Sequence, residues 1–335
     1  MELKLLGKTG IRVSKLCFGT MSFGGAADEA TSAAMYRRCR EAGINFFDCA
    51  NVYSAGAAEE ILGSLIRDER DELVIATKVG FPMGAGINDR GLSRRHMLAS
   101  VEASLRRLGT DRIDLLFMHT FDPETPMEES LRALSDIVRS GKALHIGVSN
   151  WAAWQIAKGL GISAKEGLPE IVCIQPMYNL VKRQAEVEIL PLAQSENVGV
   201  ISYSPLGGGL LTGKYSKATK PRSGRLVDNA MYATRYGEAQ YLETAEAFAA
   251  YAASRGTAPA TLAVAWVAAN PAITCPIIGA RNLEQLEDSL AAGAFELSEE
   301  LYQEITALSP TPPPATDRIE EQKGVAYRGS KENYK

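Results

Sequence analysis

Short, almost continuously apolar runs alternate with longer segments of helical periodicity along most of the chain. The eight runs span residues 16–20, 45–48, 73–78, 113–119, 144–149, 171–175, 199–203 and 274–278. Such runs are typical of parallel strands that are buried on both faces. Between them, apolar positions recur at helical spacing, as in the segment that opens at Ser93 and ends at Gly109. Consecutive strand–helix units of this number predict an α/β protein with the (β/α)8, or TIM-barrel, fold.

An open, doubly wound sheet is the alternative architecture for such an alternation. A sheet of that kind usually carries a GxGxxG turn after its first strand, and the chain contains no such motif. Ahead of the first apolar run, residues 3–5 and 11–13 flank a turn that contains glycine, which predicts an N-terminal hairpin that closes the barrel floor. We therefore predict one barrel domain over residues 1–310.

Two stretches show neither the apolar runs of strands nor the spacing of helices. Beyond Ser309 the chain becomes rich in proline and then polar, which predicts an extended C-terminal tail over residues 311–335. Residues 216–240 also lack a regular pattern. Because loops of that length in a compact domain often cover a site, we expect this segment to be a lid or clamp loop.

Composition and charge narrow the class of protein. Hydrophobic residues make up 46% of the chain and charged residues 23%, which is typical of a globular protein. The net charge of −4 argues against a general nucleic-acid binder, which needs a basic surface. No apolar run is long enough for a membrane span, and the N-terminus lacks a signal-peptide core. The five cysteines form no CxxC pair, so we expect buried thiols, no metal site and a cytoplasmic location.

Four ionisable residues fall at or just after the C-terminal ends of predicted strands, where (β/α)8 barrels carry their active sites. Asp48, Lys78 and His119 end the second, third and fourth runs, and Tyr53 follows Asp48 by five residues. An ammonium beside a tyrosine favours the tyrosinate and should lower the pKa of the phenol toward neutral. Such a phenol can act as a general acid or base, and the imidazole can donate a hydrogen bond to a substrate oxygen. The four residues therefore suit protonation of a carbonyl oxygen or deprotonation of an alcohol.

Each of these residues also has a plainer interpretation. Lys78 could form a Schiff base, as lysines do in barrel aldolases, or only pair with Asp48. A single histidine such as His119 is more often an ordinary hydrogen-bonded side chain than a catalytic one. The segment 208–214 resembles a P-loop, but Tyr215 occupies the position where a Ser or Thr would bind Mg²⁺. We therefore reject a nucleoside triphosphate site.

Several segments, taken together and in order, resemble the aldo-keto reductase family. They are FFDCANVY (46–53), ATK (76–78), LLFMH (115–119), GVSNW (147–151), IQPMYN (174–179), YSPLG (203–207) and IGARNLEQ (278–285). The resemblance extends from about Leu5 to Pro310. It implies an NADPH-dependent oxidoreductase that reduces an aldehyde or ketone, a small-molecule carbonyl substrate, to an alcohol.

The resemblance implies a role for each of the four ionisable residues. Tyr53 would be the proton donor, and Lys78 would modify the pKa of Tyr53. Asp48 would pair with Lys78, and His119 would orient the carbonyl group.

The resemblance also implies a site for NADPH or NADP⁺. Ser149, Asn150 and Gln175 would hold the nicotinamide carboxamide, and Tyr203 would stack on the ring. The other expected cofactor contacts are Gly19, Thr20, Met21, Asp48, Ser204, Pro205, Leu206, Gly207, Gly279, Arg281 and Gln285. Arg281, at the N-terminus of a predicted helix, could hold a 2′-phosphate, which favours NADPH over NADH.

The substrate and the oligomeric state are less constrained by the sequence. Phe23, Phe121 and Trp151 are candidates for an apolar substrate pocket, with core packing as the alternative for each. We expect a monomer. A second function stays open, because the same fold serves as a cofactor-binding regulatory subunit of potassium channels, which several loop segments resemble. That function implies little or no turnover.

Overall fold

The computed structural model describes residues 1–217, 221 and 223–322. Within them, parallel strands form a closed eight-stranded barrel, preceded by an antiparallel hairpin of β1 (Leu3–Leu5) and β2 (Arg12–Ser14). The barrel strands are β3 (Cys17–Gly19), β4 (Phe46–Asp48), β5 (Val74–Val79), β6 (Ile113–Met118), β7 (Ala143–Ser149), β8 (Ile171–Gln175), β9 (Gly199–Ser202) and β10 (Cys275–Ile278). The predicted (β/α)8 fold with its hairpin is confirmed, and each barrel strand begins and ends within one residue of its predicted bounds.

Consecutive strands pair in parallel around the barrel, and the last strand closes onto the first. Ile277 of β10 lies opposite Cys17 of β3, and Asp48 of β4 lies opposite Ala76 of β5. Because all strands run the same way, their C-terminal ends share one rim, where the side chains that follow them meet.

Helices surround the barrel. They are α1 (Glu29–Glu41), α2 (Ala57–Ile66), α3 (Arg94–Leu108), α4 (Met127–Arg139), α5 (Ala153–Glu166), α6 (Ile189–Ser195), α7 (Arg225–Asp228), α8 (Ala230–Tyr236), α9 (Ala239–Ser254), α10 (Pro259–Ala269), α11 (Leu283–Ala291), α12 (Glu299–Thr306) and α13 (Ile319–Gln322). The predicted ends of α3 are confirmed: the Ser93 side chain accepts a hydrogen bond from the backbone of His96, and Gly109 adopts a left-handed conformation.

Buried side chains form two apolar layers, one inside the barrel and one between the strands and the helices. Leu6 and Val13, on either side of the hairpin turn, pack with the inner layer against Cys17 and Phe46. The hairpin therefore closes the barrel floor as predicted, which leaves the opposite rim open to a ligand.

The segment 216–240 differs from the predicted loop, because its described part contains α7, α8 and the start of α9. Asn229 begins α8 by accepting hydrogen bonds from the backbone of Met231 and Tyr232. Both tyrosines of α8, Tyr232 and Tyr236, are buried. The two helices are too short to show a period in the sequence, and residues 218–220 and 222 of this segment lie outside the described part.

No helix in the described ranges is long and apolar enough to cross a membrane. All five cysteines are free and buried, as predicted. Residues 323–335 of the predicted tail lie outside the described part, so the extended tail and the domain boundary at 310 stay predictions.

Candidate active site

A cleft of about 660 Å³ opens at the C-terminal rim of the barrel, with Lys78 buried at its base. The Lys78 ammonium donates to the Asp48 carboxylate at 2.5 Å, to the Cys49 carbonyl at 2.7 Å and to the Tyr53 hydroxyl at 3.3 Å. Parallel pairing of β4 with β5 places Asp48 and Lys78 at this rim together. The structure therefore brings Asp48, Tyr53 and Lys78 into one hydrogen-bonded group.

Tyr53 begins a tight turn between β4 and α2. The three residues that follow it, Ser54, Ala55 and Gly56, have φ values of 48°, 55° and 103°. Left-handed conformations are unfavourable for serine and alanine, so the surrounding structure must hold this turn. The Ser54 hydroxyl contributes by donating to the Phe23 carbonyl at 2.7 Å.

The pKa of Tyr53 differs from the sequence prediction. Burial raises the pKa of Tyr53 to about 12, although the Lys78 ammonium acts to lower it. Burial also opposes the ammonium form of Lys78, but the neighbouring Asp48 carboxylate and Tyr53 outweigh it and raise the lysine pKa. The predicted fall of the Tyr53 pKa toward neutral is therefore wrong, because loss of water from the phenolate outweighs the nearby cation. Tyr53 carries its proton at neutral pH, as a general acid must.

His119 lies beside Tyr53, and the two rings pack edge to face with their centroids 5.9 Å apart. Its other ring neighbour is Phe81, at 4.4 Å. Burial, with a smaller effect of Lys78, lowers the His119 pKa to about 2, so its imidazole is neutral at physiological pH. Its Nδ1 atom is buried and has no hydrogen-bond partner among the described residues. A neutral imidazole with unused hydrogen-bonding capacity can bind a polar group of a ligand.

The residues expected at a nicotinamide carboxamide form a connected network beside this group. The Asn150 amide donates to the His119 carbonyl at 2.9 Å and accepts from the Tyr203 hydroxyl at 2.7 Å. Gln175 donates to Asp48 at 2.9 Å, and the Ser149 hydroxyl donates to the Gln175 carbonyl at 3.0 Å. Hydrogen bonds thus fix these side chains in place around the cleft.

Most of the predicted cofactor contacts line the cleft. They are Gly19, Met21, Asp48, Ser149, Asn150, Gln175, Tyr203, Ser204, Pro205, Leu206, Gly279, Arg281 and Gln285. Thr20 and Gly207 do not belong to this lining. Thr20 is fully buried and donates through its hydroxyl to the Asp48 carbonyl, and Gly207 is buried beside Tyr236.

Three cationic residues of the cleft were missed in the sequence: Lys214, Arg225 and Arg235 line it together with Arg281. None of the four forms an ion pair among the described residues. Burial, with Arg281 and Arg225, lowers the Lys214 pKa. Lys214 ends the very segment that imitates a P-loop, so a lysine after a glycine-rich turn was the available signal. Arg225 and Arg235 lie where no periodicity guided the prediction.

The predicted substrate-pocket residues do not line the cleft. Phe23 is fully buried in the outer apolar layer, 5.8 Å from the Phe18 ring, because the turn after β3 directs it inward. Phe121 and Trp151 pack edge to face at 5.4 Å, outside the lining. For Phe23, core packing is therefore the correct interpretation. Apolar contact near Tyr53 and His119 comes instead from residues that the sequence did not indicate, Val52 and Phe81.

Comparisons with known proteins give one consistent result. Residues 15–310 match the model of the Aldo/keto reductase family. The chain is 40% identical over 324 residues to the uncharacterized oxidoreductase YrpG of Bacillus subtilis, covering 93% of this chain and 97% of that protein. It is 38% identical over 299 residues to a probable voltage-gated potassium channel subunit beta of Arabidopsis thaliana (87% and 91%). It is 35% identical over 305 residues to the L-glyceraldehyde 3-phosphate reductase of Escherichia coli K12 (87% of each chain).

Proposed function

The chain belongs to the aldo/keto reductase family, and on that premise we propose that it reduces aldehydes or ketones to alcohols with NADPH. One observation carries the proposal: the Tyr53 hydroxyl lies 3.3 Å from the ammonium of buried Lys78, at the base of an open cleft. A phenol that keeps its proton beside a fixed cation can protonate a carbonyl oxygen, because the cation stabilises the phenolate that results.

The residues present fit a nicotinamide dinucleotide. Lys214, Arg225 and Arg281 are cations without ion-pair partners among the described residues, and phosphate groups would neutralise them. Asn150 and Gln175 offer amide groups near the reactive end, where a carboxamide would bind. Tyr203 would cover one face of the nicotinamide ring and leave the other face to the substrate.

The chemistry then divides between cofactor and protein. A bound reduced nicotinamide supplies the hydride that reaches the carbonyl carbon. Tyr53 gives its proton to the carbonyl oxygen, so that the C=O double bond becomes a C–O single bond and the alcohol gains one C–H and one O–H bond. Lys78 stabilises the phenolate left behind, and Asp48 holds Lys78 in its charged form. The neutral His119 imidazole donates a hydrogen bond to the same oxygen and orients it.

A preference for NADPH over NADH rests on Arg281. It lies just before α11, whose N-terminus is capped by Asn282, and the Gln285 side chain accepts a hydrogen bond from the Arg281 backbone. A 2′-phosphate there would meet a guanidinium and the positive end of a helix. Neighbouring Lys214 adds a second positive charge.

The geometry argues against a Schiff-base mechanism at Lys78. An ammonium has three donors, and those of Lys78 have three acceptors: the Asp48 carboxylate, the Cys49 carbonyl and the Tyr53 hydroxyl. Schiff-base formation needs the neutral amine, which the raised pKa of Lys78 disfavours.

A regulatory role is the second candidate function, and the 38% identity to a potassium channel subunit beta is what favours it. We propose that the protein acts as an enzyme, because the four reactive residues are all present. We also propose that it is a monomer in the cytoplasm. Light scattering tests the monomer.

The deciding experiment is a fluorescence titration of the purified protein with NADPH and NADH, followed by absorbance assays on a panel of aldehydes and ketones. Tighter binding of NADPH with turnover of at least one carbonyl supports the proposal. Binding without any turnover supports the regulatory role, and no binding of either cofactor contradicts both.

A further inference from the structure

Glu59 is a buried carboxylate that lies behind the cleft and has no part in the proposed reaction. It belongs to the first turn of α2, directly after the Tyr53 turn, and is fully buried. One carboxylate oxygen accepts from the Thr77 hydroxyl at 2.5 Å. The other accepts from Arg107 Nε at 2.8 Å and forms an ion pair with Arg107 Nη2 at 2.7 Å. A buried charge is costly unless it is paired in this way, so its position calls for an explanation.

Thr77 connects Glu59 to the reactive lysine. Thr77 and Lys78 are neighbours on β5, and side chains alternate along a strand, so Thr77 faces the helices while Lys78 faces the cleft. On the other side of Tyr53, the Asn51 backbone donates to the Lys78 carbonyl at 3.1 Å. The segment that carries Tyr53 is therefore bonded to β5 twice, once before the tyrosine and once after it.

The strained turn lies between these two attachments. Ser54, Ala55 and Gly56 are all left-handed, a conformation that persists only where neighbouring contacts maintain it. Arg107 forms one such contact, because a Cβ at Gly56 would lie 2.9 Å from its Cδ atom. The Glu59–Arg107 ion pair thus fixes the Arg107 side chain, which packs against Gly56 of the turn.

We propose that Glu59 is a positioning residue for the reduction: through Thr77 and Arg107 it holds the Tyr53 turn against β5, so that the phenol stays within reach of Lys78. The inference rests on the proposed function, since it takes Tyr53 as the proton donor. When the contacts of Glu59 with Thr77 and Arg107 are lost, the strained turn relaxes and the phenol moves away from the carbonyl oxygen. A misplacement of about 1 Å in a reacting group can lower a rate about a hundredfold.

The test compares Glu59→Gln with Glu60→Gln. The two variants lose the same charge at adjacent positions, but Glu60 is exposed and outside this network. We expect Glu59→Gln to lower kcat by about ten- to a hundredfold, with the Kd for NADPH unchanged. We expect the solvent isotope effect on kcat in D₂O to rise, because transfer of the Tyr53 proton becomes rate-limiting. Glu60→Gln should match the wild type in all three measurements.

Thr77 supplies a second pair of variants, which does not remove a buried charge. Thr77→Ser keeps the hydroxyl that bonds Glu59, whereas Thr77→Val keeps the shape and loses the hydroxyl. We expect Thr77→Ser to keep the wild-type kcat. Thr77→Val should have a lower kcat and a larger solvent isotope effect. Glu59→Gln loses the ion pair with Arg107 but keeps an oxygen that accepts from Thr77, whereas Thr77→Val loses the other contact of Glu59. The double variant Glu59→Gln/Thr77→Val should therefore be slower than either single variant.

Three results distinguish failure of this inference from failure of the proposed function. A wild-type kcat in Glu59→Gln and Thr77→Val would overturn the inference. So would a loss of kcat that only follows the fraction of protein able to bind NADPH, with the isotope effect unchanged, because that is a purely structural role. An inactive wild-type protein would overturn the proposed function itself, and the inference with it.

Discussion

Two buried clusters of this barrel combine a tyrosine with an ion pair. They differ in whether the tyrosine hydroxyl still has a hydrogen bond to donate. In the cleft cluster (Asp48, Tyr53, Lys78 and His119), the Tyr53 hydroxyl accepts from Lys78 and donates to no group of the described residues. The outer cluster lies between the end of β8 and helices α10 and α12. It consists of Tyr178, Arg183, Glu186, Trp266, Asn270 and Tyr302.

In the outer cluster, the Tyr178 hydroxyl uses both its donor and its acceptor. The Tyr178 hydroxyl donates to Glu186 at 2.7 Å and accepts from Asn270 at 3.0 Å. Arg183 holds both oxygens of Glu186 at 2.9 Å. The Tyr178 ring stacks on Trp266 at 5.2 Å. A group with every donor and acceptor engaged contributes to stability and offers nothing to a ligand.

The sign of the charge beside each phenol explains the difference. Burial raises the pKa of both tyrosines, to about 12 for Tyr53 and further for Tyr178. Glu186 adds to this effect, because it accepts a hydrogen bond from the protonated Tyr178 hydroxyl and would repel a phenolate, whereas Lys78 opposes it and attracts a phenolate. An anionic partner therefore retains the phenol proton, and a cationic partner prepares it for transfer.

The largest expected effect is at the cleft cluster. Tyr53→Phe removes the proton donor and should lower kcat for carbonyl reduction about a thousandfold, as loss of a general acid does. The Kd for NADPH should stay near its wild-type value, because the ring is kept. Single-turnover kinetics and fluorescence titration measure the two quantities. The same substitution at Tyr178 is the matched control and should leave kcat unchanged; a variant Tyr53→Phe that still turns over would contradict the assignment of the donor.

The next effect is on stability, at the outer cluster. Trp266 is fully buried, and its ring stacks on both Tyr178 and Tyr302. Trp266→Ala should lower the free energy of unfolding by about 3–5 kcal/mol, the usual cost of removing a large buried ring. Denaturant unfolding followed by circular dichroism measures this loss. The kcat per molecule able to bind NADPH should not change, and a fall in that value would show that the two clusters are coupled.

Much of the fold could be predicted, because apolar runs mark the strands. The alternation also explains why Asp48, Lys78 and His119, at the ends of three strands, share one rim, but periodicity alone did not select these residues, and their roles came from the resemblance to a family. Properties that depend on surroundings could not be predicted in this way. The direction of the Tyr53 pKa depends on its burial, and the inward side chain of Phe23 depends on one turn.

A smaller effect is the loss of stability when each phenol loses its hydroxyl. Tyr178→Phe removes two hydrogen bonds, those with Glu186 and Asn270, and should lower the free energy of unfolding by about 1–3 kcal/mol. Tyr53→Phe loses a single bond of 3.3 Å and should cost less. Urea unfolding of both variants at one pH makes the comparison direct. Equal losses would mean that the Tyr53 hydroxyl is as fully engaged as that of Tyr178.

The smallest effect concerns pH and tests the charges of the cleft cluster. The reduction needs Tyr53 protonated and His119 neutral. The acid form of Tyr53 falls only as pH approaches its pKa of about 12, and His119 gains a proton only as pH falls toward about 2. Single-turnover rates at saturating NADPH should therefore vary little between about pH 5 and pH 8.

Lys78→Met sharpens this test. Without the ammonium, the factor that opposes burial is lost, so the Tyr53 pKa rises further and the phenol is a weaker acid. The reduction rate should fall while its dependence on pH stays flat over the same range, because Tyr53 remains protonated throughout. A wild-type rate that drops below about pH 6.5, the ordinary pKa of histidine, would show that His119 titrates as an exposed imidazole does. His119 would then be solvated. It would not be the buried, neutral hydrogen-bond donor on which the orientation of the carbonyl group depends.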